Sequence, residues 1–388
     1  MGLIQTPTAL GHHARFAALF ESTAGTYNPP TATDFFKALS MDLAHTLSHE
    51  ARDDANEGLD PYETTAGRGD LSWTVEKYFS AAAAGTAPPE GVFLRALLCG
   101  VPVVSSGVSV SYPLLNADPA AAYRALTLQR YNNADDVFFS RAFTGAMVNE
   151  GKFSWSGTDK PKMSFSGKAT GIIEAGRTLT NGTGTTTQAL TLDAGTGRFF
   201  DVGARINVGA DTNQTVSAQG ADGLTLGANL TFGDDEVVAP YCPTPSYTAA
   251  PILGLTQGTL TYNGTTQTDI TSWEINVSRG LAYHEDTYGS TYTVDADRGM
   301  RVISGKFGIR ASRTMLNDLI RRRQFAEVAL AIRVGSSSGR NHLITLGQIL
   351  PQIEKDTLPA TGAGTLEVPF IALASTEGAV DAMTWVVS

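Results

Sequence analysis

Charged side chains are scarce in this sequence of 388 residues, where only 17% are Asp, Glu, Lys or Arg. Soluble globular domains usually carry about 25% charged residues, so we expect partners to cover much of the surface. Glycine is abundant, with 40 residues, and favours many tight turns. Together these features predict a mainly β protein that functions within an assembly.

Acidic residues outnumber basic ones, so the formal net charge is -10 and the sequence pI is near 5.1. A phosphate backbone is bound mainly by clustered Lys and Arg side chains, so this composition disfavours tight binding of DNA or RNA. It is compatible with a surface that nucleic acid slides past without adhering.

Cysteines, signal sequences and long apolar runs are few or absent. Cys99 and Cys242 stand far apart, and two free thiols are favoured over a single disulfide. The first residues lack the basic and apolar regions of a signal peptide. No apolar run reaches the roughly 20 residues needed to cross a bilayer. We therefore expect a protein that is made in a cytoplasm and does not insert into a membrane.

Strict alternation of apolar and polar residues dominates the sequence. Leu71, Trp73 and Val75 alternate with polar neighbours, and Trp273, Ile275 and Val277 do the same. Because successive side chains of a strand point to opposite faces, each segment has one apolar and one polar face. Ile303, Phe307 and Ile309 share a face in the same way, and further strands are predicted at Arg124–Tyr131, Gly151–Trp155, Lys162–Ser166, Glu327–Val334, His342–Leu346, Thr365–Leu373 and Met383–Val387.

Helical patterns are rare. Glu90–Cys99 follows two prolines and stops at Gly100, which predicts a short helix. Thr314–Phe325 has a plausible N-cap and a one-sided apolar stripe, which predicts a second helix. Asp34–Glu50 fits a helix stripe and a strand face equally well, so the pattern leaves both open.

The composition changes between Ala169 and Tyr247, which is rich in Gly and Thr and ends in a proline-rich segment. Glycines recur every few residues, which indicates tight turns between short strands. We interpret this stretch as a small inserted β-domain within a host domain made of residues 1–168 and 248–388. Its expected core consists of Leu190, Leu192, Val202, Ile206, Leu224, Leu226 and Leu230.

The sequence contains no pattern of residues typical of a catalytic site. His45 and His49 would share the face of a helix, as metal ligands need, but no third ligand is evident. Asp295 and Asp297 lack the further oxygen ligands of a calcium loop, and we interpret them as part of a turn. Arg321–Arg323 would complement the dipole at the end of the second helix and stay solvated. The sequence predicts no enzyme, no cofactor and no metal site.

The succession from Gly69 to Gly100 is distinctive. A strand ending in aromatic residues, Gly69–Phe79, leads through the small-residue linker Ala81–Ala87 to the short helix. Later, the Trp-containing strand Ile270–Gly280 precedes Gly299–Lys306, in which an Arg is followed four residues later by a Gly. This order resembles the tail tube (major tail) proteins of tailed bacteriophages. The resemblance covers residues 32–168 and 254–388 and leaves the insertion aside.

The resemblance implies two packed antiparallel sheets, forming a sandwich or barrel with short flanking helices. It also implies hexameric rings that stack into a tube in the virion, assembled in the host cytoplasm. The implied partners are other copies of the chain, the tape measure protein, the tail terminator and distal tail proteins, and DNA in transit without specific binding. Combined with the alternation, it points to these lumen-facing residues: Asp70, Ser72, Thr74, Glu76, Glu274, Asn276 and Ser278.

A polar segment, Ala51–Gly67, is unusually long for a connection between two predicted elements. The resemblance makes it a loop that reaches the neighbouring ring, with the following candidate contact residues: Arg52, Asp53, Asp54, Glu57, Asp60 and Glu63. Three alternatives stay open. These are a distal tail or baseplate protein of the same fold, a carbohydrate-binding adhesive β-protein, and an enzyme with a metal at His45 and His49.

Overall fold

The computed structural model of the chain describes residues 14–51, 64–115, 125–132, 137–254, 258–310, 327–336, 340–352, 365–377 and 379–388. The strands before the insertion are β1 Arg15–Phe20, β2 Phe35–Phe36, β3 Ser40–Ala51, β4 Thr64–Tyr78, β5 Val103–Ser105, β6 Ser109–Tyr112, β7 Leu126–Asn132, β8 Phe139–Ser156, β9 Lys162–Lys168 and β10 Gly171–Ala175. The helix α1, Gly91–Leu98, lies between β4 and β5.

Among the described residues, the Gly- and Thr-rich region supplies six short strands, and the part of the chain after it supplies ten. The first group is β11 Thr178–Leu179, β12 Gly184–Thr191, β13 Arg205–Val208, β14 Asp211–Gln219, β15 Gly223–Phe232 and β16 Val237–Pro240. The second group is β17 Thr259–Tyr262, β18 Thr265–Gln267, β19 Ile270–Ser278, β20 Ala282–Tyr283, β21 Ala296–Asp297, β22 Val302–Arg310, β23 Val328–Gly335, β24 Asn341–Pro351, β25 Thr365–Leu373 and β26 Thr384–Val387.

Seven antiparallel strands form what we call the front sheet, in the order β3-β4-β9-β8-β19-β22-β25. Its strands have the alternation seen in the sequence, so one face is apolar and the other polar. Only the second half of β8 belongs here. Near Gly145, which has a φ of 62°, the strand turns away, and its first half pairs with β10 and β7 in a side sheet that continues to β1 and β2.

A second layer, the back sheet, has the strand order β18-β17-β23-β24-β26-β6-β5. Strand β24 also pairs with β25, which links the two layers. Aromatic rings fill the space between them: Trp385 of the back sheet lies 4.5 Å from Phe153 and 6.1 Å from Phe79, centroid to centroid. The predicted mainly β fold of two packed antiparallel sheets is therefore confirmed.

Helix α1 closes one side of this core. It starts after Glu90 and ends at Cys99, whose left-handed φ of 63° stops the helix. Phe93 is fully buried and stacks on Phe165 of the front sheet at 5.1 Å. The helix agrees with the predicted Glu90–Cys99 within a residue at each end. The second predicted helix, Thr314–Phe325, lies outside the described residues.

The Gly- and Thr-rich region forms its own six-stranded sheet, in the order β11-β16-β13-β14-β15-β12. A bridge between Thr180 and Leu192 joins its two ends, so the sheet curls into a small barrel. Its apolar cluster is separate from the main core, and six of the seven expected core residues belong to it. The prediction that Val202 belongs to this core is wrong. Its side chain is 54% exposed because it lies in the turn before β13.

Three other sequence interpretations are settled by pairing. Most of the ambiguous segment Asp34–Glu50 is strand, because Ser40–Ala51 pairs along its length with β4. The sequence indicates a turn at Asp295 and Asp297, but Asp297 forms the short strand β21 together with Ala296, paired with β20. Strand β10 pairs with β8 although the expected boundary assigned it to the insertion.

Candidate functional site: the polar face of the front sheet

The polar face of the front sheet is the surface that the sequence alternation indicates. Leu71, Trp73 and Val75 of β4 are all buried, whereas their neighbours Ser72, Thr74 and Glu76 are partly or fully exposed. Strand β19 repeats the pattern, with Trp273, Ile275 and Val277 buried and the intervening polar residues half-buried. Each strand thus anchors its polar side chains on a packed apolar layer.

Strand register brings the predicted residues of both strands into one surface. Glu76 of β4 lies opposite Ser164 of β9, which lies opposite Lys152 of β8. Lys152 in turn lies opposite Asn276 of β19. The next row joins Thr74, Ser166, Glu150 and Ser278 in the same manner. Strands β9 and β8 lie between β4 and β19 and pair with each other. They therefore join the polar residues of β4 and β19, which are far apart in the chain, into one surface.

The four lysines of this face, within the described strands, each contact a carboxylate. Two of these ion pairs, Lys162 with Glu76 and Lys152 with Glu274, have N–O distances of 3.1 Å. The other two are Lys168 with Asp70 at 2.7 Å and Lys306 with Glu367 at 3.2 Å. A lysine already paired across strands offers little to an incoming phosphate, so the face is polar without being a cationic binding site.

The pKa values of these groups respond to the pairing. Burial acts to raise the pKa of Glu274, but hydrogen bonds from Asn276 and Lys152 outweigh it and hold the pKa below its ordinary value. A hydrogen bond to Glu76 raises the pKa of Lys162. Burial acts to lower the pKa of Lys168, and the contacts with Asp70 and Glu285 reverse this and raise it. These groups stay charged at neutral pH.

Sequence reasoning missed more than half of this surface. The following polar residues on the face were not predicted: Ser40, Asp42, Glu150, Lys152, Ser154, Lys162, Ser164, Ser166, Lys168, Lys306 and Glu367. The alternation in Lys162–Lys168 was a usable signal, since Met163 and Phe165 are buried between the polar residues. No sequence pattern indicated the cross-strand ion pairs, because the two residues of each pair are distant in the sequence.

Behind the sheet lies a buried polar network that fixes helix α1 between the layers. Lys77 pairs with the carboxylate of Glu90, the residue before the helix, and donates a 3.1 Å hydrogen bond to Ser80. His342 of β24 donates from Nε2 to the Ser80 carbonyl at 2.8 Å and lies 3.4 Å from Glu90. Removing one partner of a buried ion pair leaves an uncompensated buried charge and is strongly destabilising, so these contacts hold the start of α1 in position.

Other candidates from the sequence fall outside a common site. His45 lies in strand β3, where a four-residue spacing separates it from His49 by about 13 Å. Its Nε2 is 2.9 Å from the Tyr292 hydroxyl. Among the described residues, no group of three or more His, Cys, Asp and Glu side chains could hold a metal. Cys99 and Cys242 are not joined by a disulfide.

The proposed ring-stacking residues, Arg52, Asp53, Asp54, Glu57, Asp60 and Glu63, and the arginines Arg321–Arg323 all lie outside the described residues. The flanking strands β3 and β4 run to Ala51 and from Thr64. No helix in the described ranges has the length and apolarity needed to span a membrane.

Comparison with protein families agrees with this architecture. The family model described as phage tail tube protein matches residues 11–374, which is nearly the whole chain. No curated protein matches the chain. The match includes both stretches on which the resemblance was based, Gly69–Gly100 and Ile270–Lys306, and confirms it. The chain therefore belongs to the phage tail tube protein family, whose members are structural, non-enzymatic components of the virion tail.

Proposed function

We propose that copies of this chain form closed rings, hexameric as in the resemblance, and that the rings stack into the tail tube. The polar face of the front sheet lines the lumen. The tube holds the tape measure protein before infection and conducts DNA afterwards. Its ends contact the tail terminator and distal tail proteins, and assembly takes place in the host cytoplasm.

The observation that carries this proposal is the register-matched polar face. Side chains from consecutive strands form continuous polar rows above a dry aromatic core, as a channel wall requires. Each lysine on the described face is paired with a carboxylate. Because DNA affinity depends on cations that release counterions from phosphate, a wall of paired lysines allows DNA to pass without adhering.

We further propose that the six-stranded sheet of the insertion projects outward as a decoration. It has its own apolar cluster and enters and leaves the host through neighbouring segments of the side sheet. At the entry, the backbone N–H of Glu174 in β10 donates a 2.7 Å hydrogen bond to the Asp201 carboxylate. At the exit, Arg15 of β1 lies 3.6 Å from the Cys242 sulfur. A compact module tethered beside the front sheet would suit weak contact with host surfaces or lateral support.

Electron microscopy of the purified chain tests the proposal. We expect tubes of uniform diameter, and a helical reconstruction should place Thr74 and Glu76 on the wall of the channel. Single rings that never elongate would favour the distal tail or baseplate alternative. Tubes in which these residues face outward would overturn the lumen assignment while leaving the tube itself intact.

A further inference from the structure

The segment that contains β20 and β21 runs beside strand β4, and we call this segment, Ala282–Asp297, the strap. Pairing of β4 with β9 ends where Ser72 lies opposite Lys168. Three residues nearer the start of β4, the Gly69 N–H donates a 2.8 Å hydrogen bond to the Thr291 carbonyl of the strap. The strap therefore takes over the edge of β4 at the point where β9 leaves it.

The ring of Tyr292 joins the strap to both β3 and β4. Its hydroxyl lies 2.9 Å from Nε2 of His45, and the two rings meet edge to face with 5.5 Å between their centroids. On β4, a Cβ at Gly69 would lie 2.5 Å from the Tyr292 ring. The missing side chain at position 69 is what allows the tyrosine to pack this close to the strand.

Charged side chains add further ties. The guanidinium of Arg68 donates to the carbonyls of His284 and Tyr292, each at 3.4 Å. The Nζ of Lys168, at the end of β9, lies 2.5 Å from the Glu285 carboxylate of the strap. Backbone, aromatic and ionic contacts thus converge on one short stretch of β4.

Beyond this stretch, β3 and β4 form a two-stranded ribbon, since their pairing continues as far as Ala51 opposite Thr64. The register shifts between Leu47 and His49, which marks a bulge at the base of the ribbon. Bulges bend and twist the strand that contains them, and a two-stranded ribbon has little stability of its own. The contacts at its base therefore decide the direction in which the ribbon points.

The strap itself is held lightly. Every residue from Glu285 to Gly289 is exposed. Near its ends, Leu281 and Ala296 belong to a small cluster separate from the main core, on which Tyr292 packs while only partly buried. Segments with few buried apolar contacts open at a lower free-energy cost than the core. The strap is thus able to leave β4 while the two sheets stay packed.

We propose that the strap is a releasable brace that sets the direction of the β3–β4 ribbon. When engaged, it holds the base of the ribbon against the end of β9. When released, it leaves the ribbon free to pivot at the bulge. The inference deepens the proposed function, on which it rests, because the ribbon leads to the segment assigned to ring stacking and its direction governs where that segment begins.

Hydrogen exchange on the unassembled full chain tests the brace. In Tyr292→Ala, exchange of the Gly69 amide should accelerate at least about tenfold, the equivalent of 1.4 kcal/mol, while the amides of Trp73–Val75 keep their wild-type rates. Tyr288→Ala is the matched control, because this residue of the same strap is fully exposed, and it should exchange as the wild type does. An unchanged rate at Gly69 in Tyr292→Ala, or equal acceleration at Trp73–Val75, would overturn the inference.

A second variant avoids any loss of packing. Glu285→Gln replaces an exposed side chain and weakens the contact with Lys168. Since partly exposed ion pairs contribute little and are screened by salt, exchange at Gly69 should accelerate about twofold at low salt and match the wild type at high salt. The same rate in both proteins at low salt would show that this ion pair does not hold the strap, contrary to the inference.

Electron microscopy separates this inference from the proposed function. Tyr292→Ala should form tubes only at a concentration several times higher than the wild type needs, or form rings that do not stack. If the wild type forms no rings or tubes, the proposed function fails whatever the exchange rates are. If Tyr292→Ala exchanges faster at Gly69 and still forms tubes at the wild-type concentration, the brace does not serve stacking and only the inference fails.

Discussion

The indole Nε1–H of Trp385 donates a 3.0 Å hydrogen bond to Nδ1 of His342, deep between the two sheets. Since Nδ1 accepts and Nε2 donates to the Ser80 carbonyl, the imidazole is neutral with its proton on Nε2. A second proton on Nδ1 would break the contact with Trp385. Burial of the ring lowers the pKa of His342 below its ordinary value of 6.5.

This relationship predicts a loss of stability in mild acid. The unfolded histidine takes up a proton near pH 6.5, whereas the folded one resists it, so the stabilising contribution is present above that pH. It is lost as pH falls from about 6.5 toward the lower folded pKa, by up to about 1.4 kcal/mol per pH unit. Neighbouring Glu90 favours the protonated ring and Lys77 opposes it.

Urea unfolding of wild type and His342→Gln between pH 8 and pH 5 measures the effect. The variant has no titrating group at this position, so its stability should depend less on pH across the same range. Equal pH dependence in the two proteins would show that other groups cause any acid sensitivity.

The paired lysines of the polar face make a prediction about DNA. Glu76→Gln with Glu274→Gln removes the partners of Lys162 and Lys152. These pairs are partly exposed, so unfolding free energy should change by less than about 1 kcal/mol per pair. Tubes of the variant should retain double-stranded DNA at low salt and release it as salt rises.

A DNA co-sedimentation assay with wild-type tubes and with Glu377→Gln tubes provides the comparison. Glu377 is exposed and lies in the turn after β25, outside the strands of the front sheet, so its substitution should not increase binding. Equal retention by all three proteins would mean that the front-sheet carboxylates do not limit adhesion of DNA.

The acidic hairpin between β3 and β4 carries the stacking prediction. Deleting Asp54–Thr64 should leave a folded subunit, because the buried residues that anchor the two strands lie outside the deleted segment. These residues are Met41, Leu43 and Leu71. Rings or monomers should remain, without tubes. Size-exclusion chromatography and negative-stain microscopy would measure this, and tubes of normal length would refute a stacking role.

The insertion can be removed in two ways that the structure separates. Replacing residues 176–241 with a short Gly/Ser linker keeps β10 on β8 and should yield smooth tubes with an unchanged inner diameter and a reduced outer diameter. Joining Lys168 to Thr248 also deletes β10, whose Ile172 packs on the main core, and should give a less stable subunit. If the first variant folds but never forms tubes, the barrel belongs to the assembly interface.

Local pattern was enough to establish several features of this protein. Period-two alternation placed Trp73 and Trp273 in the core and their polar neighbours outside, because adjacent side chains of a strand must point oppositely. The stop at Gly100 and the prolines before Glu90 located helix α1 by local backbone preferences alone. The succession of strand, small-residue linker and helix was enough to indicate the family.

Tertiary structure decided what depends on partners distant in the chain. Asp34–Glu50 fitted a helix and a strand equally, and only pairing with β4 makes most of it a strand. Val202 looked like its apolar neighbours but lies in a turn, where no strand covers it. The contact between Lys152 and Glu274 likewise follows from strand order. Strand order is set by long-range packing of whole faces, which short-range periodicity does not encode.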